Sequence, residues 1–337
     1  MRSSIVLLGL TACLSMQVVV NLTYADTFGS GTNTFDIEFV PIPSVGEYVV
    51  QTRQGPITFP GNRPDRSGAP NPAGAVAYDY RIGKFEISEQ MIDAASALDD
   101  DLRITHTERG PEKPATAVTW FEAARFVNWL NTSTGHLPAY KFNEVPGGRG
   151  DPPPEFEFAL WEPDEEGYDP DNPFRNSIAN YVLPTVEEWY KAAYYDPEAE
   201  VYYDFATGSN APPVAVAGGT DPGTAVYLQS TDAGPADVLL AGGASPFGAI
   251  GMNGNVREWH ETAETFDVNS RRDLRGGAWA SGTGSLAATF LGGDPPELDI
   301  ANVGFRVVSL IIPEPSSLVL LGLACLTLGS QRRLICQ

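Results

Sequence analysis

The stretch MNGNVREWHE, Met252 to Glu261, decides how the rest of the chain is read. Its first half is Gly and Asn, residues that tolerate the left-handed backbone of tight turns. Its second half alternates charge, Trp and His, which suits neither a regular helix nor a regular strand. A carboxylate and an indole directly behind a sharp turn fit a metal site, a catalytic site or a packed turn.

The neighbouring segments narrow the choice. RGGAWASG (275–282) repeats the pattern of a glycine turn followed by Trp, and VGFRVVSL (303–310) reads as a strong strand. Upstream, FDIEFV (35–40) alternates apolar and acidic residues as a half-buried strand does. VAYDYRIGKFEIS (76–88) reads as a second strand, with Ser88 placed to cap a helix from Glu89 to about Leu98. Thr119 and Glu122 form a capping box ahead of a helix whose face carries Trp120, Ala123, Ala124, Val127 and Leu130. Thr185 and Glu188 form a second box, with Pro197 beyond that helix's end. Residues 144–178, rich in Pro, Asp and Glu, read as a long surface insertion. Within them DEEGYDPDN (164–172) has only a loose calcium-loop spacing, and residues 208–251 read as turn-dominated. With 34 Gly and 28 Pro in 337 residues, 42% of them hydrophobic, the expected class is a loop-rich α+β domain.

The two ends read as addresses. Arg2, the apolar run Ile5–Val20 and small Ala25 predict a signal peptide over residues 1–25. Near the other end stand Pro313-Glu314-Pro315, then Ser316–Ser330 without a charge, then Arg332 and Arg333. That order resembles the PEP-CTERM sorting signal, assigned to 313–337. The resemblance implies a sorting transpeptidase as partner, membrane contact through this segment before processing, and a destination at the surface or in the extracellular matrix of a Gram-negative bacterium.

Cys13, Cys325 and Cys336 all lie in these terminal segments, so the body between them has no disulfide, thiolate ligand or sulfur nucleophile. The chain has 21 basic and 43 acidic residues, a net charge of −22. Removing Arg2, Arg332 and Arg333 with their segments leaves the body more acidic still. Such a surface disfavours nucleic acid and favours cations, calcium among them.

Taken in order, YRIGKFEIS, PATAVTWFEAARFVNWLN, LPTVEEW, GMNGNVREW, RGGAW and GFRVV resemble the formylglycine-generating enzyme, or sulfatase-modifying-factor, family over residues 34–310. The resemblance implies a variant C-type lectin-like α+β fold with little regular secondary structure. It places Trp259 and Trp279 in the core. It also implies a structural calcium bound by the turn and its carboxylate, here Asn253, Gly254, Val256 and Glu258. The plainer alternative pairs Glu258 with a cation such as Arg275. A further family calcium site uses an Asn near Ala225-Val226-Tyr227, where this chain has none.

The best-known members oxidise a cysteine with copper held by two cysteines after RGG-x-W. Here that window reads ASGTGSLAATFLGGDPPELDIANV, without a thiol. Copper is therefore not expected. Other relatives use a histidine-ligated iron, whereas His106, His136 and His260 are scattered and lack i, i+4 spacing. Arg257 stands where relatives carry Trp, and Ala278 where Ser is common. His260 reads as a partly exposed turn residue, and Arg275 and Arg306 as anchors of the fold. The expected function is an exported, surface-sorted, calcium-stabilised binding or structural module, meeting a polysaccharide or surface protein through the 144–178 and 208–246 loops. The alternative is a formylglycine-generating oxidase or another metal-dependent enzyme acting on an extracytoplasmic substrate.

Overall fold

The structure is a computed structural model describing residues 24–44, 51–52, 55–56, 74, 76–145 and 155–310. The apolar run Ile5–Val20 and the sorting segment 313–337 lie outside them. Among the described residues no helix is long and apolar enough to cross a membrane.

Two larger sheets and three α-helices frame a body otherwise made of two-stranded ribbons, short 3-10 helices and turns. The first sheet is antiparallel, in the order Tyr24–Ser30, Asn33–Ile42, Tyr80–Gly83, Val308–Ser309, Tyr181–Val182. The second runs Gly292–Asp294, Arg272–Arg275, Arg257–Ala263, Val303–Gly304, with the last pair parallel. VGFRVVSL is thus not one strand. Val303–Gly304 belongs to the second sheet and Val308–Ser309 to the first, and Phe305–Val307 crosses between them. The crossing is held by Ile87 N–H on the Phe305 carbonyl and Gly83 N–H on the Val307 carbonyl. This is how a single short segment fastens the sheets together.

The helices follow their caps. Helix α1 (Glu89–Ser96) starts at Ser88, whose Oγ accepts from Met91 N–H, and ends two residues before the expected Leu98. In α2 (Trp120–Ser133) and α3 (Val186–Tyr194) both halves of each capping box are made. One such cap is worth about 1 kcal/mol. Buried Asn131 clamps α2 to the sheet: its Nδ2 donates to the Tyr181 carbonyl, and its Oδ1 accepts from Asn180 and Tyr181 N–H. Trp120, Tyr140 and Phe158 make edge contacts around α2, at centroid distances of 5.3 and 5.1 Å from Trp120.

Phe158 also corrects the reading of 144–178 as a surface insertion. Lys141–Val145 pairs antiparallel with Glu155–Ala159, and Phe158, Phe174 and Arg175 are buried. The segment's Pro and acidic residues set its exposed turns, while its few aromatic residues carry it into the core.

Candidate functional site

The turn that opens the signature is held from four directions. Gly254 has φ +84° and Asn255 φ +58°, the left-handed region that Gly and Asn tolerate best. A Cβ on Gly254 would collide with the Val226 carbonyl. Gly254→Ala should therefore cost more than the ~1–3 kcal/mol of backbone strain alone, read as a lower denaturant midpoint. Asn255 was not singled out in the sequence, yet it is the hub. Its N–H donates to the Val226 carbonyl and its carbonyl accepts from Trp279 N–H. Its Oδ1 accepts from Ala236 N–H and its Nδ2 donates to Glu86 at 2.7 Å.

Behind the turn, Arg257–Ala263 is a strand, contrary to the irregular reading of its sequence. It lies within the structure with both faces covered, so alternation of polarity carries no signal. Glu258, Trp259 and His260 are each fully buried. His260 is consequently not a partly exposed turn residue; its ring lies 5.2 Å from Trp189, and its carbonyl accepts from Trp120 Nε1. Trp259 and Trp279 plug the core as expected, their indole N–H groups bound by the Val118 and Thr231 carbonyls.

Glu258 meets a cation, but not the one expected. Its backbone neighbours Arg275 across the sheet, whereas its carboxylate pairs with Arg306. Oε1 accepts from Arg306 Nη2 at 2.6 Å; Oε2 accepts from Arg306 Nε at 2.6 Å and Trp189 Nε1 at 2.7 Å. Arg306 also donates to the Gly83 and Ile250 carbonyls. Arg275 anchors the Ala288 and Phe290 carbonyls. Asn253 Oδ1 accepts from Ala206 N–H, while its Nδ2 donates to the Leu286 carbonyl. Val256 is buried behind the turn.

These donors decide how the turn fits an ion. The Glu258 carboxylate, the one side chain that the resemblance offered calcium beside the turn carbonyls of Asn253, Gly254 and Val256, already accepts from Arg306 and Trp189. The positive charge facing that carboxylate is the Arg306 guanidinium. The residues present do not fit calcium centred on Glu258. Among the described residues no three of His, Cys, Asp or Glu converge as a metal cluster. In 164–172, Glu165 pairs with Lys141 and Asp169 accepts from Asp171 N–H. The segment after Trp279 contributes Ser281, whose Oγ accepts from Ala278 N–H, and buried Leu286, but no soft donor for copper.

Glu86 was also missed. It is buried beside Glu258, with Oε1 lacking a hydrogen-bond partner. Burial first, then the Glu258 charge, pushes its carboxyl up to about 8, against the opposing pull of Arg306.

A second constellation opens to solvent. A cavity of about 690 Å³ is lined by Tyr78, Asp79, Asp169, Asp171, Arg175 and Glu187, among others. In its wall Arg175 Nη2 reaches Glu188 Oε1 and the Tyr78 hydroxyl, both at 3.1 Å, and Nε lies 3.6 Å from Glu261 Oε1. Tyr78 donates to Glu188 at 2.6 Å. Glu261 accepts from Tyr140 Oη at 2.7 Å and from Asn172 Nδ2 at 2.5 Å. Burial would lower the Arg175 pKa, but Glu188 and Glu261 outweigh it and hold the guanidinium charged. Glu188 thus serves twice, as capping-box acid of α3 and as counter-ion of this wall.

A family model described as the sulfatase-modifying factor enzyme 1-like domain matches residues 44–311. The chaperone protein LppX of Paenibacillus barcinonensis is 25% identical over 239 residues, covering 64% of this chain and 74% of that protein. Among solved structures, Treponema denticola variable protein 1 aligns over 87% of this chain and 100% of its own, with a TM-score of 0.55 and 19% identity. CarF aligns over 82% and 99%, with a TM-score of 0.54 and 21% identity. PvdO from Pseudomonas aeruginosa aligns over 84% and 97%, with a TM-score of 0.51 and 14% identity. These structural likenesses establish the fold, and at such identities nothing finer.

Proposed function

The chain belongs to the sulfatase-modifying factor enzyme 1-like family, and from that premise we propose that it is an exported binding module without thiol-dependent oxidase chemistry. One observation carries the reading. All three cysteines, at 13, 325 and 336, fall outside the matched residues 44–311, so the body has no thiolate to hold a soft metal or to exchange with a substrate thiol. The signature residues are spent on structure: Glu258 on Arg306, Asn255 on the turn, Trp259 on the core. The apolar run Ile5–Val20 and the Pro-Glu-Pro segment support export and sorting by a transpeptidase to a bacterial surface or matrix, where a polysaccharide or surface protein is the partner.

The test is direct. Purified, processed protein incubated with copper, oxygen and a cysteine-containing sulfatase peptide should yield no peptide aldehyde by mass spectrometry. Aldehyde formed catalytically would overturn the reading.

A further inference from the structure

The chemistry of the Tyr78–Arg175 cavity selects a class of ligand. Four carboxylates line it, those of Asp79, Asp169, Asp171 and Glu187, and its lining includes one cation, Arg175. That guanidinium is only 10% exposed and is committed to Glu188, Glu261 and the Tyr78 hydroxyl. An anion entering here meets repulsion, and the charge that would receive it is already matched by two buried carboxylates. The chain's net charge of −22 adds long-range attraction for cations. A bare metal ion is a poor match, since among the described residues no three ligating carboxylates or imidazoles converge.

The remaining features describe the stem that bears the positive charge. Tyr78 is 43% exposed, while its hydroxyl is fixed on Glu188 and Arg175. A ring held in this way is a preorganised flat apolar surface, with Val76 and Ala77 beside it. Ser177 and Thr185 add hydroxyls to the lining. The volume, about 690 Å³, lies within the usual small-molecule range of roughly 300–1,000 Å³. A slender alkylammonium would leave most of it to water and use few of its acceptors. A ring with hydroxyl donors, one ammonium group and an apolar face to stack on Tyr78 uses all three features together.

We infer that this cavity binds amino sugars with a free, protonated amine, as units of a cationic polysaccharide. The inference rests on the binding-module reading and supplies its ligand class. Glu188 and Arg175 act as positioning residues that fix Tyr78, and Asp169 and Asp171 face the ammonium and hydroxyl groups.

The test uses the full processed protein in calorimetric titration at mildly acid pH with glucosamine oligosaccharides, their N-acetylated counterparts and oligolysine. Saturable binding of the free-amine oligosaccharide alone, weakened by added salt, is expected. The double variant Asp169→Asn, Asp171→Asn should weaken it about tenfold or more, since each side chain keeps its shape and an acceptor but loses its charge. Tyr78→Ala should weaken it comparably. Glu157→Gln, in a separate cavity that includes Phe121 and Phe156, should leave it unchanged. The inference is overturned by absent binding, by equal binding of the N-acetylated oligosaccharide, by equal or tighter oligolysine binding, or by an unaffected double Asp variant of unchanged melting temperature. None of these outcomes produces aldehyde, so they leave the non-oxidase reading to its own assay.

Discussion

Glu258→Ala lowers the melting temperature by on the order of 10 °C, whereas a chelator leaves the wild-type protein's melting unchanged. The variant strands Arg306, a fully buried guanidinium with its only ion-pair partner among the described residues removed. Breaking a buried pair from one side costs about 3–5 kcal/mol, a large part of a domain's total stability of about 5–15 kcal/mol. Trp189 Nε1 loses its acceptor as well, adding to that loss. In a domain of this size each kcal/mol moves the midpoint by about 2–4 °C. The double variant Glu258→Ala, Arg306→Leu should recover part of the stability, because it removes the stranded charge. Thermal melts of wild type, Glu258→Ala, Arg306→Leu and the double variant close the cycle. A chelator effect on wild type that disappears in Glu258→Ala would restore an ion to the turn and contradict the guanidinium account.

Rising pH weakens the protein, and Glu86→Gln removes much of the effect. In the folded chain the Glu86 carboxyl is raised to about 8 by burial and by Glu258, whereas in the unfolded chain it titrates near 4.5. Between those values the folded state keeps a proton that the unfolded state has lost. Stability is therefore greatest below the unfolded value and falls as pH rises toward 8, at up to about 1.4 kcal/mol per pH unit. Buried Glu261 is raised in the same direction by burial, so it contributes the same sign. Glutamine at 86 keeps an acceptor for Asn255 Nδ2 and carries no charge at any pH. Denaturant titrations from mildly acid to alkaline pH should show a falling midpoint for wild type and a flatter one for the variant, with the variant more stable at the alkaline end. Parallel profiles for the two proteins would refute the assignment to Glu86.

These expectations concern residues that the sequence exposed to different degrees. Capping boxes were legible because both partners sit three residues apart, as at Thr119 and Thr185. The buried Trp residues were legible because a large ring beside glycines has few other uses. Local reading failed where partners come from far along the chain. Glu258 and Arg306 are 48 residues apart, Glu86 and Asn255 169. His260 misled for a related reason: a strand covered on both faces hides polar side chains whose company is supplied by α2 and α3. VGFRVVSL looked like one strand because nothing in its composition marks a change of sheet between Gly304 and Val308. The Tyr78 cavity was invisible for the same reason, since its wall draws on four separate segments.

The most direct test of the central claim is elemental analysis of the processed protein, purified without chelator and incubated with cuprous ion before desalting. A cysteine-free body whose signature carboxylate is bound by Arg306 predicts copper far below one per chain. One tightly held copper per chain, with turnover of a thiol peptide, would contradict it.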